Sequence, residues 1–191
     1  MKLLDIETMA KGNERQRAAY EALKSIQLFE KLKESTPVLA GTIPIDVDIP
    51  SSDLDIICST RNLETFAMEL KDKFGDLEGF DLHHKLFRGQ PAVVARFRAQ
   101  GFPIEIFAQG PSVFTQPAVV HMLIEARLLT FAPKEAKEKI RLLKQTGMKT
   151  EPAFAETFDI KGDPYEELLK IALMPDHEIL MIAHRFRFMQ Q

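Results

Sequence analysis

Apolar residues recur every three or four positions at Ala19, Leu23, Ile26, Phe29 and Leu32, which predicts an amphipathic helix over about Asn13 to Lys33. Pro37-Val-Leu-Ala-Gly41 then reads as a short buried strand ended by glycine. Thr42 to Ser52 is polar and carries Pro44 and Pro50, so it is a loop, with a short extended piece at Ile45 to Ile49. Asp53 to Ser59 reads as a second strand. Thr60 is placed to cap a helix running to about Phe74, with Leu63, Phe66, Ala67 and Leu70 on its inner face.

The period then changes. Phe80 to Arg88, Pro91 to Ala99 and Phe102 to Ala108 alternate as strands, with Gln100-Gly101 as a tight turn. From about Thr115 the pattern is helical, over Gln116 to Thr130, Lys134 to Gln145, Asp163 to Leu173 and Asp176 to about Phe188. Pro133 and Pro164 fall near helix starts, where a missing N–H does no harm, and Pro175 separates the last two helices. The order of elements predicts an α+β fold: a mixed sheet with helices over residues 1–112, then a C-terminal helical lobe over 113–191.

Composition narrows the functional classes. The chain has 191 residues, 45% of them apolar and 28% charged, as in an ordinary globular protein. A net charge of −3 and a pI near 6.0 argue against a surface that tracks a long nucleic acid, and favour a small or proteinaceous partner. Cys58 is the single cysteine, so no internal disulfide forms and a reducing compartment is expected. The first residues have no signal-peptide core, and no apolar run nears the roughly 20 residues that span a bilayer. The expected compartment is the cytoplasm.

Against this background the acidic residues stand out. Asp46, Asp48, Asp53 and Asp55 fall in one short stretch just after Gly41-Thr42. Side chains i and i+2 of an extended chain share a face, roughly 6.5–7 Å apart along it. Two carboxylates held that close beside a buried strand repel unless a cation or a shared proton intervenes. A hard divalent ion such as Mg²⁺ or Mn²⁺ suits them. Spacing does not choose between Asp46/Asp48 and Asp53/Asp55, but Pro44 and Pro50 bracket the first pair. The second pair opens a strand whose other face, Leu54, Ile56 and Cys58, is wholly apolar. An EF-hand loop is excluded, because its glycine and its closing glutamate are both missing. Glu105, between Ile104 and Ile106, is the candidate third carboxylate.

Ala40-Gly41-Thr42, then Asp53-Leu-Asp-Ile56, then Ile104-Glu-Ile106 resembles the signature of the nucleotidyltransferase superfamily, with its polymerase-β-like fold. It is similar in particular to a small, uncharacterised bacterial branch. The match runs from residue 40 to 106 with its three parts in order, and Thr42 stands where Ser or Gly is usual. The resemblance implies a nucleotidyltransferase-like mixed sheet with Gly41, Thr42 and Ser52 at the nucleotide. It implies Asp53, Asp55 and Glu105 as catalytic metal ligands, with Mg²⁺ or Mn²⁺ as cofactor. The implied reaction moves an NMP group from an NTP to a hydroxyl of a small molecule or protein. Two other classes compete: a catalytically silent nucleotide- or ligand-binding protein, and an antitoxin-like regulatory module on the same fold.

Several other residues have a plainer reading. His121 and Glu125 share a helix face, and either line a cleft or pin the helix against the sheet. His83-His84 point to opposite strand faces, which argues against zinc. Cys58 reads as a small buried residue. Arg96 and Arg98 share a face that either reaches phosphate or meets solvent.

Overall fold

In the computed structural model, which describes residues 2–188, the apolar runs become strands β1 (Val38–Ala40), β2 (Leu54–Ser59), β3 (Asp81–Phe87), β4 (Gln90–Ala99) and β5 (Phe102–Gln109). They form one mixed sheet in the order β1-β2-β5-β4-β3. β2 and β5 run parallel, and the other neighbours run antiparallel. Arg88-Gly89 and Gln100-Gly101 each hold positive φ at both turn residues, the pattern of a two-residue hairpin turn that follows the sheet twist. Each turn sets the register of its hairpin, closing Phe87 on Gln90 and Ala99 on Phe102.

Alternation then sorts side chains to two faces. Leu54, Ile56 and Cys58 of β2, Ile104 and Ile106 of β5, and Ala95 and Phe97 of β4 are buried on one face. They pack with Ala19 and Leu23 of α1 (Glu14–Ser25), Leu28 of α2 (Leu28–Lys31), and Phe66, Leu70 and Phe74 of α3 (Leu63–Phe74). Phe74 stacks on Phe97 with ring centroids 5.2 Å apart. Side chains of this size contribute about 1.5–3 kcal/mol each when fully buried. The opposite face carries Asp55, Glu105 and Arg96.

Two helix boundaries differ from the sequence reading. The helix expected to reach Lys33 stops at Ser25, and Gln27 adopts φ +55° before α2 resumes. The break leaves Leu28 and Leu32 fully buried, so the apolar rhythm survives although the helix does not. Asn62, and not Thr60, caps α3: its side chain accepts from Thr65 N at 3.0 Å. Asn13 caps α1 reciprocally with Gln16.

The chain divides into two compact units. One takes the residues through Pro44 together with Ser52–Val119, and the other takes Ile45–Ser51 and the chain from Val120 onward. The second is helical, with most of α4 (Pro117–Phe131), then α5 (Glu135–Gln145), α6 (Thr150–Phe158), α7 (Pro164–Ile171) and α8 (Asp176–Phe188). α6 was not expected from the sequence, yet α5, α7 and α8 all pack on it. Its Phe158 lies 6.0 Å from Phe154 and 6.5 Å from Phe186, ring to ring. Asp163 caps α7 and Pro164 occupies its first turn. No helix among the described residues is long and apolar enough to cross a membrane.

The Ile45–Ser51 segment belongs with the helices because α5 holds it. Lys137, Arg141 and Lys144 repeat at helical spacing along α5. Lys137 Nζ meets Asp46 Oδ2 at 2.9 Å, Arg141 Nη2 meets Asp46 Oδ1 at 2.5 Å, and Lys144 Nζ donates to the Val47 carbonyl at 3.1 Å. Asp46 itself sits at φ +60°. Asp46, from the earlier aspartate pair, therefore supplies a structural anchor.

His121 ties α4 to other helices of its own unit. Its Nε2 donates to the Tyr165 carbonyl at 2.9 Å, and its Nδ1 lies 3.2 Å from Glu151 Oε1. One turn on, Glu125 is only 3% exposed and its Oε1 has no hydrogen-bond partner. Burial, and then the neighbouring Glu151 carboxylate, push its carboxyl up to about 8 against the opposing pull of Lys144. Burial pushes Glu151 the same way, but the His121 hydrogen bond and its other favourable contacts outweigh it and hold Glu151 below the usual range. From pH 4.5 to about 8 the unfolded chain releases the Glu125 proton while the folded chain keeps it, so stability falls as pH rises through that window. Glu125→Gln should flatten this slope and raise stability at pH 8 by an amount on the order of a few kcal/mol. Denaturant titrations of both proteins across the window measure it.

Candidate active site

The acidic site belongs to the sheet unit and is assembled from the ends of β1 and β2 and from the adjoining β5. Gly41 leaves β1 with φ +79°, a conformation that favours glycine. A Cβ at this position would fall 2.5 Å from Asp55 Oδ2. The Asp55 carboxylate thus lies against bare backbone, and any side chain there would displace it. Thr42 follows, and its hydroxyl lies 3.3 Å from that of Ser52. This contact joins the turn after β1 to the chain entering β2.

Asp53 is exposed and stands one residue before β2, which starts at Leu54 and not at Asp53 as the sequence pattern indicated. Asp55 is half-buried within β2. Its register partner on the parallel strand β5 is Glu105, and on β1 it is Ala40. Glu105 in turn pairs with Arg96 on β4. Register partners share a face, so Ala40, Asp55, Glu105 and Arg96 form one transverse row. Arg96 Nε and Nη2 both donate to Glu105 Oε2, at 2.8 and 2.5 Å. The structure therefore brings Asp55 and Glu105 side by side, while one oxygen of Glu105 is engaged by arginine.

Do these residues suit a divalent cation? Their donors are hard carboxylate oxygens, and a carboxylate is seated on glycine backbone. Among the described residues, no three histidine, cysteine, aspartate or glutamate side chains gather closely enough to hold a metal by themselves. Mg²⁺ seldom needs such a cage, since one or two carboxylates with waters and substrate phosphates satisfy it. The set fits a hard divalent cation that keeps part of its water shell.

Residues outside the sequence signature support the site. Gln16 Nε2 donates to the carbonyls of Ile43 at 3.0 Å and Pro44 at 3.2 Å, steadying the turn after Gly41-Thr42. Arg15 Nη2 donates to the Ser52 carbonyl at 3.3 Å, with its guanidinium 4.3 Å from the centre of the Phe102 ring. Neither contact leaves a trace in local sequence. The Arg96–Glu105 pair does, because counting back from the Gln100-Gly101 turn places the two opposite each other.

The remaining candidates resolve simply. His83 lies near Asp81 at 3.3 Å and His84 near Glu64 at 3.7 Å, so the two histidines do not converge. Arg98 donates to the Gly101 carbonyl. Burial, with a smaller effect from Glu69, pushes the Cys58 thiol up to about 12, so it stays protonated and unreactive.

This sheet, with a strand-to-turn glycine and acids on two parallel neighbours, is the fold of nucleotidyltransferases. Among solved structures the chain is similar to the Cid1 poly(U) polymerase with MgGTP bound, at 15% identity and a TM-score of 0.51, covering 85% of this chain and 51% of that one. It is also similar to a cytoplasmic RNA terminal U-transferase, at 16% identity and a TM-score of 0.50, over 82% and 45% of the two chains. A GLD-2/RNP-8 complex matches at 11% identity and a TM-score of 0.51, over 93% and 81%. The chain spans about half the length of the poly(U) polymerase it matches. Residues 21–171 match the domain of unknown function DUF4269, and the chain belongs to that family. No curated protein matches the sequence.

Gly41→Ala should cost about 1–2 kcal/mol of stability through the left-handed backbone alone, and should also shift the Asp55 carboxylate. Thermal melts read the first effect, and a crystal structure of the variant reads the second.

Proposed function

We propose that this protein is a divalent-metal-dependent nucleotidyltransferase that moves an NMP group from an NTP onto a hydroxyl of a small molecule or protein. The observation that carries this reading is the in-register pairing of Asp55 with Glu105 on parallel strands, beside a glycine turn moulded to the Asp55 carboxylate. Backbone N–H groups and the hydroxyl at Gly41-Thr42, with the Ser52 hydroxyl bonded to Thr42, would receive the phosphates. Asp53 and Asp55 would hold Mg²⁺ or Mn²⁺, and Glu105 would complete the ligand set or orient the acceptor hydroxyl for in-line attack. When bound, the metal supplies charge neutralisation at the phosphates and at the entering and leaving oxygens. The solved poly(U) polymerase structures with MgGTP and Mg 3'-dATP bound agree in cofactor type. The likeness to an RNA terminal U-transferase adds an RNA terminus to the acceptors to be tested beside small molecules and proteins.

One observation favours a second reading, that of a nucleotide-binding protein without turnover. Glu105 is already engaged by Arg96, so the acids do not stand ready as a trio. The two readings part in a single experiment. Calorimetry with Mg²⁺ and each NTP should detect binding that falls at least tenfold in Asp55→Asn. Incubation with α-labelled NTP should transfer label to an acceptor, and the same substitution should abolish the transfer. Binding without transfer to any acceptor class supports the silent protein. Binding unchanged in Asp53→Asn and Asp55→Asn overturns the catalytic reading, and no binding of any NTP overturns both.

A further inference from the structure

Resting on the nucleotidyltransferase reading, we propose that Arg96 is a positioning residue that masks Glu105 until a nucleotide arrives. Asp55 and Glu105 are neighbours in register, and like charges on adjacent strands repel. Arg96, next in the same row, offsets that repulsion from the other side. Its Nε and Nη2 converge on one oxygen, Oε2, so the charge of Glu105 is neutralised and that oxygen is withheld from a metal. The Arg96 side chain is 53% exposed while the Glu105 side chain is 22% exposed. Arginine is therefore the mobile partner of the pair, and an exposed ion pair of this kind costs only about 0.2–1 kcal/mol to open. A triphosphate offers denser negative charge and the forked geometry that guanidinium prefers. Arg96 turns from Glu105 to the phosphates as a nucleotide binds, and Glu105 is released to the metal in the same event. The site consequently binds metal weakly by itself and fully only with nucleotide, which protects it from stray cations.

The test is Mn²⁺ binding to the nucleotide-free protein, read from the loss of the free-ion electron paramagnetic resonance signal. Arg96→Gln should tighten Mn²⁺ about two- to fivefold, the range an exposed ion pair allows. Arg96→Lys, which keeps the charge, should stay near wild type. In a Glu105→Gln background the Arg96→Gln gain should vanish. A gain that persists there would mean that Arg96 acts only as a distant positive charge, and would overturn the proposal, as would no gain in Arg96→Gln. Thermal melts verify folding, and Arg96→Met, which retains the apolar stem, replaces the glutamine variant should that one melt early. Asp55→Asn in the same assay separates the two levels. Mn²⁺ binding indifferent to Asp55 removes the nucleotidyltransferase reading and this inference together. Binding that needs Asp55 but ignores Arg96 removes the inference alone.

Discussion

Placing two carboxylates in register on neighbouring parallel strands is the constraint around which the sheet unit is organised. Coulomb repulsion between charges a few ångströms apart amounts to roughly 1–4 kcal/mol depending on local screening. The fold meets that cost locally. Gly41 brings backbone against Asp55 in place of a side chain, and Arg96 completes the row beyond Glu105. Behind the row, the other face of β2, β5 and β4 is buried almost entirely, which keeps the strands that carry the acids rigid.

The helical unit follows a different logic. Among its described residues there is no comparable acidic row, and several of its polar side chains act as ties. Asp46 receives Lys137 and Arg141, His121 joins α4 to α6 and α7, and Arg127 reaches the carbonyls of Ala172 and Met174. Glu125 behaves otherwise: it is buried without a partner for Oε1, and burial pushes its carboxyl up to about 8. The expected consequence is a stability that falls as pH rises towards 8.

Much of the sheet was legible because strands announce themselves twice, by apolar alternation and by the turns between them. The Gln100-Gly101 turn, read from sequence, already contains the register that sets Arg96 against Glu105. Glu105 and Arg96 lie nine residues apart, so their pairing shows only once that register is traced from the turn. α6 was invisible for another reason. Ala153, Phe154, Ala155, Thr157 and Phe158 are all buried, so no polar stripe marks a helical period. Pro152 looks like a breaker but lies in the first turn, where proline is tolerated. The partners of Asp46 and His121 were illegible because they lie far along the chain, and spacing reports only local neighbours. The two aspartate pairs, identical in spacing, were separated by proline placement, and the structure shows Asp46 of the earlier pair turned to α5.

The central claim is that Asp53 and Asp55, beside the Gly41 turn, form the cation-binding edge of a nucleotide site. Diffraction from crystals grown with Mn²⁺ and a non-hydrolysable NTP analogue, recorded at the manganese absorption edge, tests it most directly. The account predicts an anomalous peak within bonding distance of the Asp55 carboxylate, shared with Asp53 and with phosphate oxygens lying against Gly41-Thr42. A peak bound elsewhere, or a nucleotide seated away from that turn, would contradict it.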